Sequence, residues 1–330
     1  MQSTRVETNQ IKIASTTVKS RFSLAPMAGI TDMVLRQIVR SFSPGCLLVT
    51  EMLSSEAMLM NKQEQDILKF DTCEYPLSFQ LSGHKPQVMA EAAKKIEPNA
   101  TFIDINMGCP APKIVKNGDG SFLMTDLKLA SEIISSVKKA VRVPVTVKCR
   151  LGWDIPSKNY LEFAQMVQDS GADAITVHGR TRTQMYSGLA DWQAIGEVKS
   201  MLKIPVYGNG DVDSVEKAIE CMNTSNCDGI AIGRGALGDP ELIARIEHYL
   251  ATGEILSEPS IARRIELLRL HLYKEIEFRG EEFGIRYMRK FFAWYIKNIR
   301  GAAQYRFQLV RLDDLSEIER TLDEIISNAG

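Results

Sequence analysis

The chain has 330 residues, of which 45% are hydrophobic and 25% charged, and a formal net charge of −1: the composition of a globular protein large enough for one barrel plus an appendage. No apolar run approaches the roughly 18 residues a bilayer span needs, and the opening MQSTRVETNQIKI has no continuous apolar core of the secretory kind. The six cysteines (46, 73, 109, 149, 221 and 227) form no CxxC pair and no metal-ligand spacing with histidine. That argues against a structural zinc site or a disulfide framework and for a reducing, cytoplasmic setting.

In chain order, IKIAS, a polar turn and TVKSRF predict a small N-terminal hairpin cap. A repeated pattern of short apolar strand, loop and amphipathic helix follows. The strands are FSLAP (22–26), LLVTEM (47–52), PLSFQL (76–81), FIDINM (102–107), PVTVKCR (144–150), AITVHGR (174–180), PVYGNG (205–210) and GIAIGR (229–234). They are rich in β-branched residues, and several begin after Pro or Gly, as buried parallel strands do. Between them, 127–140 gives the clearest helical spacing, with Leu127, Ala130, Ile133, Ile134 and Val137 on one face. Eight such units in about 230 residues predict an α/β fold of the (β/α)8 TIM-barrel kind. A doubly wound open sheet is the alternative, but it rarely uses eight such even units.

The polar segment ATGEILSEPS (251–260) marks a boundary between a barrel, 1–250, and a small C-terminal all-helical domain, 251–330, with helices expected over 261–280, 284–300 and 313–327. Charge is distributed unevenly there. Residues 261–311 carry a net +7 and residues 312–330 a net −5, so the helical part offers either a phosphate-binding surface or a solvated basic face.

The chemistry is expected at the C-terminal ends of the strands, where barrels of this type keep it. FIDINMGCP (102–110) delivers the Cys109 thiol on a short turn, because Gly108 permits an unusual backbone path and Pro110 cannot continue a ladder. The other strands end in Pro26-Met27-Ala28-Gly29, Glu51-Met52, Gln80, Asn106, Lys148 and Arg150, His178 and Arg180, Gly208-Asn209-Gly210-Asp211, and Gly233-Arg234-Gly235. Two glycine-rich turns after the last two strands, each running into a helix, expose backbone N–H groups suited to a phosphate, and Arg234 can add a charge-assisted contact. Lys148 at a buried strand end needs an anion. Glu51 or Asp104 can serve as a salt-bridge partner, and the alternative is the negative charge of a reduced flavin. His178 is either a core histidine or a site residue. Gln80 can offer an amide edge to a flavin or a uracil.

MGCP preceded by IDIN resembles the active-site motif of the tRNA-dihydrouridine synthases. The likeness continues through LAPMAGITD (24–32), TEM (50–52), FQLSG (79–83), PVTVKCRLGW (144–153), VHGRTRTQMYSGLADW (177–192), YGNGD (207–211) and GIAIGRGALGDP (229–240). In the tail, RKFFAWY (289–295) is similar to a stretch of the bacterial B-type branch. The resemblance implies an FMN enzyme that uses NADPH to reduce the C5=C6 bond of particular D-loop uridines in tRNA, such as position 17, without a metal or a membrane. It implies that Pro26, Met27, Ala28, Gln80, Lys148, His178, Asn209, Gly210, Asp211, Gly233 and Arg234 hold the flavin. Cys109 would give the proton to C5 after hydride reaches C6. Asn106, Lys113, Arg150 and Arg180 are candidate substrate contacts. Phe122-Leu123-Met124 after Gly120-Ser121 is bulkier than the family pattern, which bears on loop packing.

A thiol of ordinary pKa, about 8.5, is mostly protonated at pH 7 and can donate without special tuning. If 284–300 is one helix, Arg286, Lys290, Lys297 and Arg300 fall in one arc, with Tyr287, Phe291, Trp294, Tyr295 and Ile299 opposite. That arc is a candidate grip on the tRNA backbone. Two other readings compete: a small-molecule FMN oxidoreductase related to dihydroorotate dehydrogenases, and a flavin-independent RNA-binding module. The basic appendage argues against the first, and a yellow protein would exclude the second.

Overall fold

The computed structural model describes residues 9–60 and 68–328. The first eight residues of the stretch read above for a leader lie outside them. Strands β1 (Ile11–Ile13) and β2 (Thr16–Val18) pair antiparallel as the expected hairpin. Their Ile11, Ile13 and Val18 pack with Leu47, Val49, Phe102, Ala174 and Tyr207. Three of those five residues open their strands, so the hairpin closes the N-terminal end of the barrel.

The barrel strands are β3 (Phe22–Leu24), β4 (Leu47–Ser54), β5 (Leu77–Ser82), β6 (Phe102–Asn106), β7 (Val145–Cys149), β8 (Ala174–His178), β9 (Val206–Asn209) and β10 (Gly229–Ile232). They pair in parallel, each with its sequence neighbour, and β10 pairs back onto β3, which closes the barrel and removes the open-sheet alternative. Register sets the mouth: Gln80 lies opposite Asp104, Asn106 opposite Lys148, and His178 opposite Asn209.

The surrounding helices are α1 (Met33–Phe42), α2 (Ser55–Leu59), α3 (Pro86–Ile96), α4 (Pro112–Lys116), α5 (Leu127–Ala140), α6 (Tyr160–Asp169), α7 (Trp192–Met201), α8 (Val215–Ser225) and α9 (Leu242–Thr252). Helix α5 has the predicted bounds. Asp126 caps it by accepting from the Leu129 amide at 3.0 Å, and Ala130, Ile133, Ile134 and Val137 are its buried face. No helix among the described residues is long and apolar enough to cross a membrane.

After α9 stops at Gly253 (φ +75°), an exposed stretch leads to Ser260, which caps α10 (Ile261–Arg279). Then come α11 (Glu281–Tyr295), α12 (Ala302–Leu309) and α13 (Leu315–Ser327). Helices α10 and α11 cross so closely that a Cβ on Gly284 would lie 2.7 Å from the Ile276 Cα. The expected helix over 284–300 is corrected here. It ends at Tyr295, because Asn298 (φ +60°) and Gly301 (φ +76°) take left-handed backbone that no α-helix continues through. Helix α12 was not foreseen. Lys297 and Arg300 therefore lie on a turn, and the single basic arc does not exist.

Candidate active site

A cleft of about 790 Å³ opens at the C-terminal ends of the strands, within the size range of cofactor sites. Every residue expected to hold the flavin lines it: Pro26, Met27, Ala28, Gln80, Lys148, His178, Asn209, Gly210, Asp211, Gly233 and Arg234. So do Cys109, Asn106, Arg150 and Lys297. Lys113, Arg180, Arg286, Lys290 and Arg300 are not part of its lining. The helical tail reaches the cleft through Trp294 and Lys297. It can come this close because Gly238 (φ +75°) meets the Trp294 carbonyl where a Cβ would stand 2.4 Å away.

The floor is a chain of fixed amides. Thr146 Oγ1 donates to Asp104 Oδ1 at 2.5 Å, Gln80 Nε2 to Asp104 Oδ2 at 2.6 Å, and Asn106 Nδ2 to Gln80 Oε1 at 2.8 Å. Asn106 Oδ1 then accepts from the Gly108 and Cys109 amides at 3.2 and 3.0 Å. Asn106 thus braces the cysteine turn and keeps one N–H for the cleft. Burial pushes the Asp104 carboxyl up from its ordinary range.

The Cys109 turn is also held from the far side. Its carbonyl accepts from Ser121 N at 3.0 Å and Ser121 Oγ at 2.9 Å, and Arg150 Nε donates to the Gly108 carbonyl at 2.8 Å. Gly120 (φ +61°) has no room for a side chain, since its Cβ would sit 2.8 Å from the Cys109 oxygen. The bulky Phe122-Leu123-Met124 is accommodated: Phe122 packs edge-on against Trp153 while Leu123 and Met124 enter the core. The thiol is half-buried and pushed above its ordinary pKa, chiefly by burial. It is more firmly protonated at neutral pH than an ordinary cysteine.

Lys148 forms neither of the salt bridges considered for it. Asp104 is committed to Thr146 and Gln80, while Glu51 accepts from the Gly29 amide. The Lys148 ammonium donates instead to Asn209 Oδ1 at 3.0 Å, and Asn209 Nδ2 to the Ala231 carbonyl at 2.7 Å. Burial, then the nearby Arg150, lowers its pKa to about 8. His178 is held well below its ordinary pKa, by burial first and by Lys148, Arg150, Arg180 and Arg234 after it. A neutral imidazole facing Arg180 Nη1 at 3.3 Å must accept there, because a guanidinium only donates, so its proton sits on Nδ1.

Two arginines expected to touch substrate are largely structural. Arg180 is buried. It donates to both carboxylate oxygens of Asp211 at 2.7 Å and to the Ser187 and Gly188 carbonyls at 3.2 and 2.5 Å. Asp211 (φ +58°) also accepts from Ala190 N, so its carboxylate faces protein. Arg150 holds the Thr181 and Met185 carbonyls at 3.0 and 2.9 Å, yet still borders the cleft. In the tail, Arg286 pairs with Glu282 at 2.9 Å. Lys290 donates to the Gly29 carbonyl and lies 3.3 Å from the centre of the Tyr287 ring. Lys113 and Arg300 are exposed.

Sequence reading missed the joint between barrel and tail. Arg279 donates to Asp32 Oδ2 and to Glu275 Oε2, each at 2.7 Å, and His271 Nδ1 meets the Tyr295 hydroxyl at 3.1 Å. No local pattern pairs α10 with the loop before α1. The Gly120 clamp did have a signal, in the turn-forming NGDGS (117–121).

The donor set suits an anionic, phosphate-bearing heterocycle: a half-buried ammonium with an amide for partner, a half-exposed guanidinium on Arg234, two glycine turns and several amide edges. Among the described residues no group of three or more His, Cys, Asp and Glu could hold a metal ion. A closed parallel barrel with its polar groups gathered at the strand C-termini defines the class, a (β/α)8-barrel enzyme.

Its fold is similar to that of an old yellow enzyme homologue from Zymomonas mobilis, with a TM-score of 0.51 and 13% identity over 78% of this chain and 95% of that one. It is also similar to 2-naphthoyl-CoA reductase in complex with 2-naphthoyl-CoA, at 0.57 and 12% over 81% and 63%. The family model for dihydrouridine synthase (Dus) matches residues 23–329. A probable tRNA-dihydrouridine synthase 1 of Synechocystis sp. is 43% identical over 320 residues, covering 97% of this chain and 90% of the relative. The tRNA-dihydrouridine synthase B of Pseudomonas aeruginosa is 40% identical over 306 residues, 92% of each chain. The chain belongs to the dihydrouridine synthase family, on its B-like side, and is a flavin-dependent oxidoreductase.

Proposed function

We propose that this protein is a tRNA-dihydrouridine synthase that reduces the C5=C6 bond of D-loop uridines in the cytoplasm, with FMN as cofactor and NADPH as reductant. Residues 1–250 form the catalytic barrel and 251–330 a helical unit that engages tRNA. The family match and the names of the relatives support the activity, while the cleft's donor set supports a flavin mononucleotide.

When bound, the flavin supplies hydride from N5 to C6 of the uracil. The chain's own residues do the rest. Lys148 sets a positive charge where an anionic ring system needs one, and Asn209 orients that ammonium. The turns at 208–211 and 233–235 offer backbone N–H groups to a phosphate, and Arg234 adds a guanidinium. Neutral His178 donates from Nδ1. Cys109 Sγ–H gives its proton to C5 as negative charge develops there, leaving a thiolate that water reprotonates.

The observation that carries this reading is the Cys109 thiol, kept protonated by burial and aimed from a doubly braced turn into the cleft that Lys148 shares. Cys109→Ala should retain FMN and bind tRNA but form no dihydrouridine. Unchanged dihydrouridine formation would remove Cys109 from the role of acid. Mapping dihydrouridine in tRNA from a deletion strain and its complemented partner tests the activity itself.

A further inference from the structure

Beneath the cleft the barrel axis is not filled. A second cavity, of about 20 Å³, lies between the cleft and the N-terminal hairpin, bounded above by Pro26 and Lys148, which also line the cleft, and below by Ile13 of β1. Barrels of this kind pack that space with layers of bulky branched side chains. Here the strands turn Ser78, Asp104, Thr146, Lys148, Thr176 and Tyr207 into it, alongside several alanines. Parallel register sets Lys148 beside Thr176 and Thr176 beside Tyr207, so three polar side chains stand in a row across β7, β8 and β9.

Two of these groups are buried with no partner in the chain. Ser78 is 1% and Tyr207 3% exposed, yet neither Ser78 Oγ nor the Tyr207 hydroxyl makes a hydrogen bond to protein. Buried hydroxyls are rarely left so, because the loss of hydration is then uncompensated. Their neighbours have capacity to spare. Thr146 spends its hydroxyl proton on Asp104 Oδ1 and keeps lone pairs, and the Lys148 ammonium gives Asn209 one of its three N–H groups. A bound water needs about 10–15 Å³ and two to four polar partners, and this chamber offers both.

We infer that the chamber binds one ordered water, held by Ser78, Thr176 and Tyr207, and that this water accepts a hydrogen bond from the Lys148 ammonium on the side away from the cleft. Ser78, Thr176 and Tyr207 are then positioning residues, acting on the reaction through the water and the lysine. With Asn209 on one N–H and water on another, the ammonium is fixed in place and its charged form is favoured. The further link to the flavin rests on the proposed FMN cofactor: a firmer positive charge at that edge favours the anionic reduced ring.

The test compares the full-length protein, flavin-free and FMN-loaded, as wild type, Tyr207→Phe and Ser78→Val. The first variant removes one hydroxyl at constant shape, and the second fills the chamber. Crystal structures of both wild-type forms should show a water within about 3.2 Å of Lys148 Nζ and of the Tyr207 hydroxyl, and Ser78→Val should lack it. In the loaded protein, Ser78→Val should shift the balance between reduced and oxidised flavin toward the oxidised form by about tenfold, about 30 mV for two electrons. Tyr207→Phe should shift it the same way by less, and serves alone if Ser78→Val does not fold. A role confined to packing would move the melting temperature and leave the potential where it was. A dry chamber in wild type, a water that does not touch Lys148, or a potential unmoved in the folded variants overturns the inference. Failure of wild type to take up FMN would remove the proposed cofactor instead, since the water is read in the flavin-free crystals as well.

Discussion

Asn106→Ala separates bracing of the cysteine turn from simple substrate contact. The substitution removes the one acceptor shared by the Gly108 and Cys109 amides and the donor to Gln80 Oε1. A buried N–H left without a partner costs about 1–3 kcal/mol. Gly108 is buried and bears the full penalty, whereas half-buried Cys109 can recover part of its loss from water in the cleft. The stability loss should therefore be about 2–4 kcal/mol, a substantial share of the 5–15 kcal/mol typical of folded proteins. A displacement of the thiol by about 1 Å should cost a further factor on the order of 100 in turnover at saturating tRNA. Urea unfolding of the flavin-free protein reads the first quantity, and single-turnover dihydrouridine formation reads the second. Unfolding identical to wild type, with only a raised KM for tRNA, would refute the brace and leave Asn106 as a substrate contact alone.

In the flavin-free protein, Lys148 has a pKa near 8 against an ordinary 10.5, so the unfolded chain holds a proton that the folded one has released between those values. Wild type should gain stability relative to Lys148→Met as pH rises through that window, by up to roughly 3 kcal/mol at about 1.4 per unit; urea midpoints showing the opposite slope would contradict it. Glu275, buried beside Asp32, has the reverse sign: its pKa is raised to about 9, chiefly by burial, so its contribution is present below about 4.5 and lost as pH climbs toward 9. Glu275→Gln, which keeps a donor for Asp32 and an acceptor for Arg279, should equal or exceed wild-type stability at pH 8, while Glu275→Ala should fall below it in thermal melts. On the tail, reversing the exposed charges at Arg286 and Arg300 should weaken tRNA binding and flatten its dependence on salt, a titration that would show no change if these residues face only solvent.

What the sequence revealed, it revealed through periodicity and through strand ends. All eight barrel strands and helix α5 were legible because β-branched runs and a 3.6-residue apolar face are local signals. The residues lining the cleft were legible for the same reason, since a strand's C-terminal end is its last few letters. Three features were not. The break at Asn298 looked like helix because its left-handed backbone is taken by an ordinary residue, with Gly301 three places on. The structural share of Arg150 and Arg180 was hidden because their burial and their carbonyl partners on loop 181–190 are tertiary facts. The pairing of Lys148 with Asn209 rather than a carboxylate reaches across β8, the one strand between them, which register alone resolves.

The Gly29 peptide connects these features to function. Its N–H donates to Glu51 of β4 and its carbonyl accepts from Lys290 of α11, with the Tyr287 hydroxyl 3.4 Å away. Asp32, three residues on, is both the cap of α1 and the acceptor for Arg279 of α10. The loop carrying Pro26, Met27 and Ala28 into the cleft is thus gripped by the barrel on one side and by two helices of the tail on the other. Lys290, read from sequence as part of a grip on RNA, instead ties the tail to that loop. An appendage held to a cleft-facing loop by the Arg279–Asp32 ion pair and the Lys290–Gly29 hydrogen bond cannot shift far without moving the loop. A tail positioned in this way sets both the wall of the cleft, through Trp294 and Lys297, and the approach of whatever it binds.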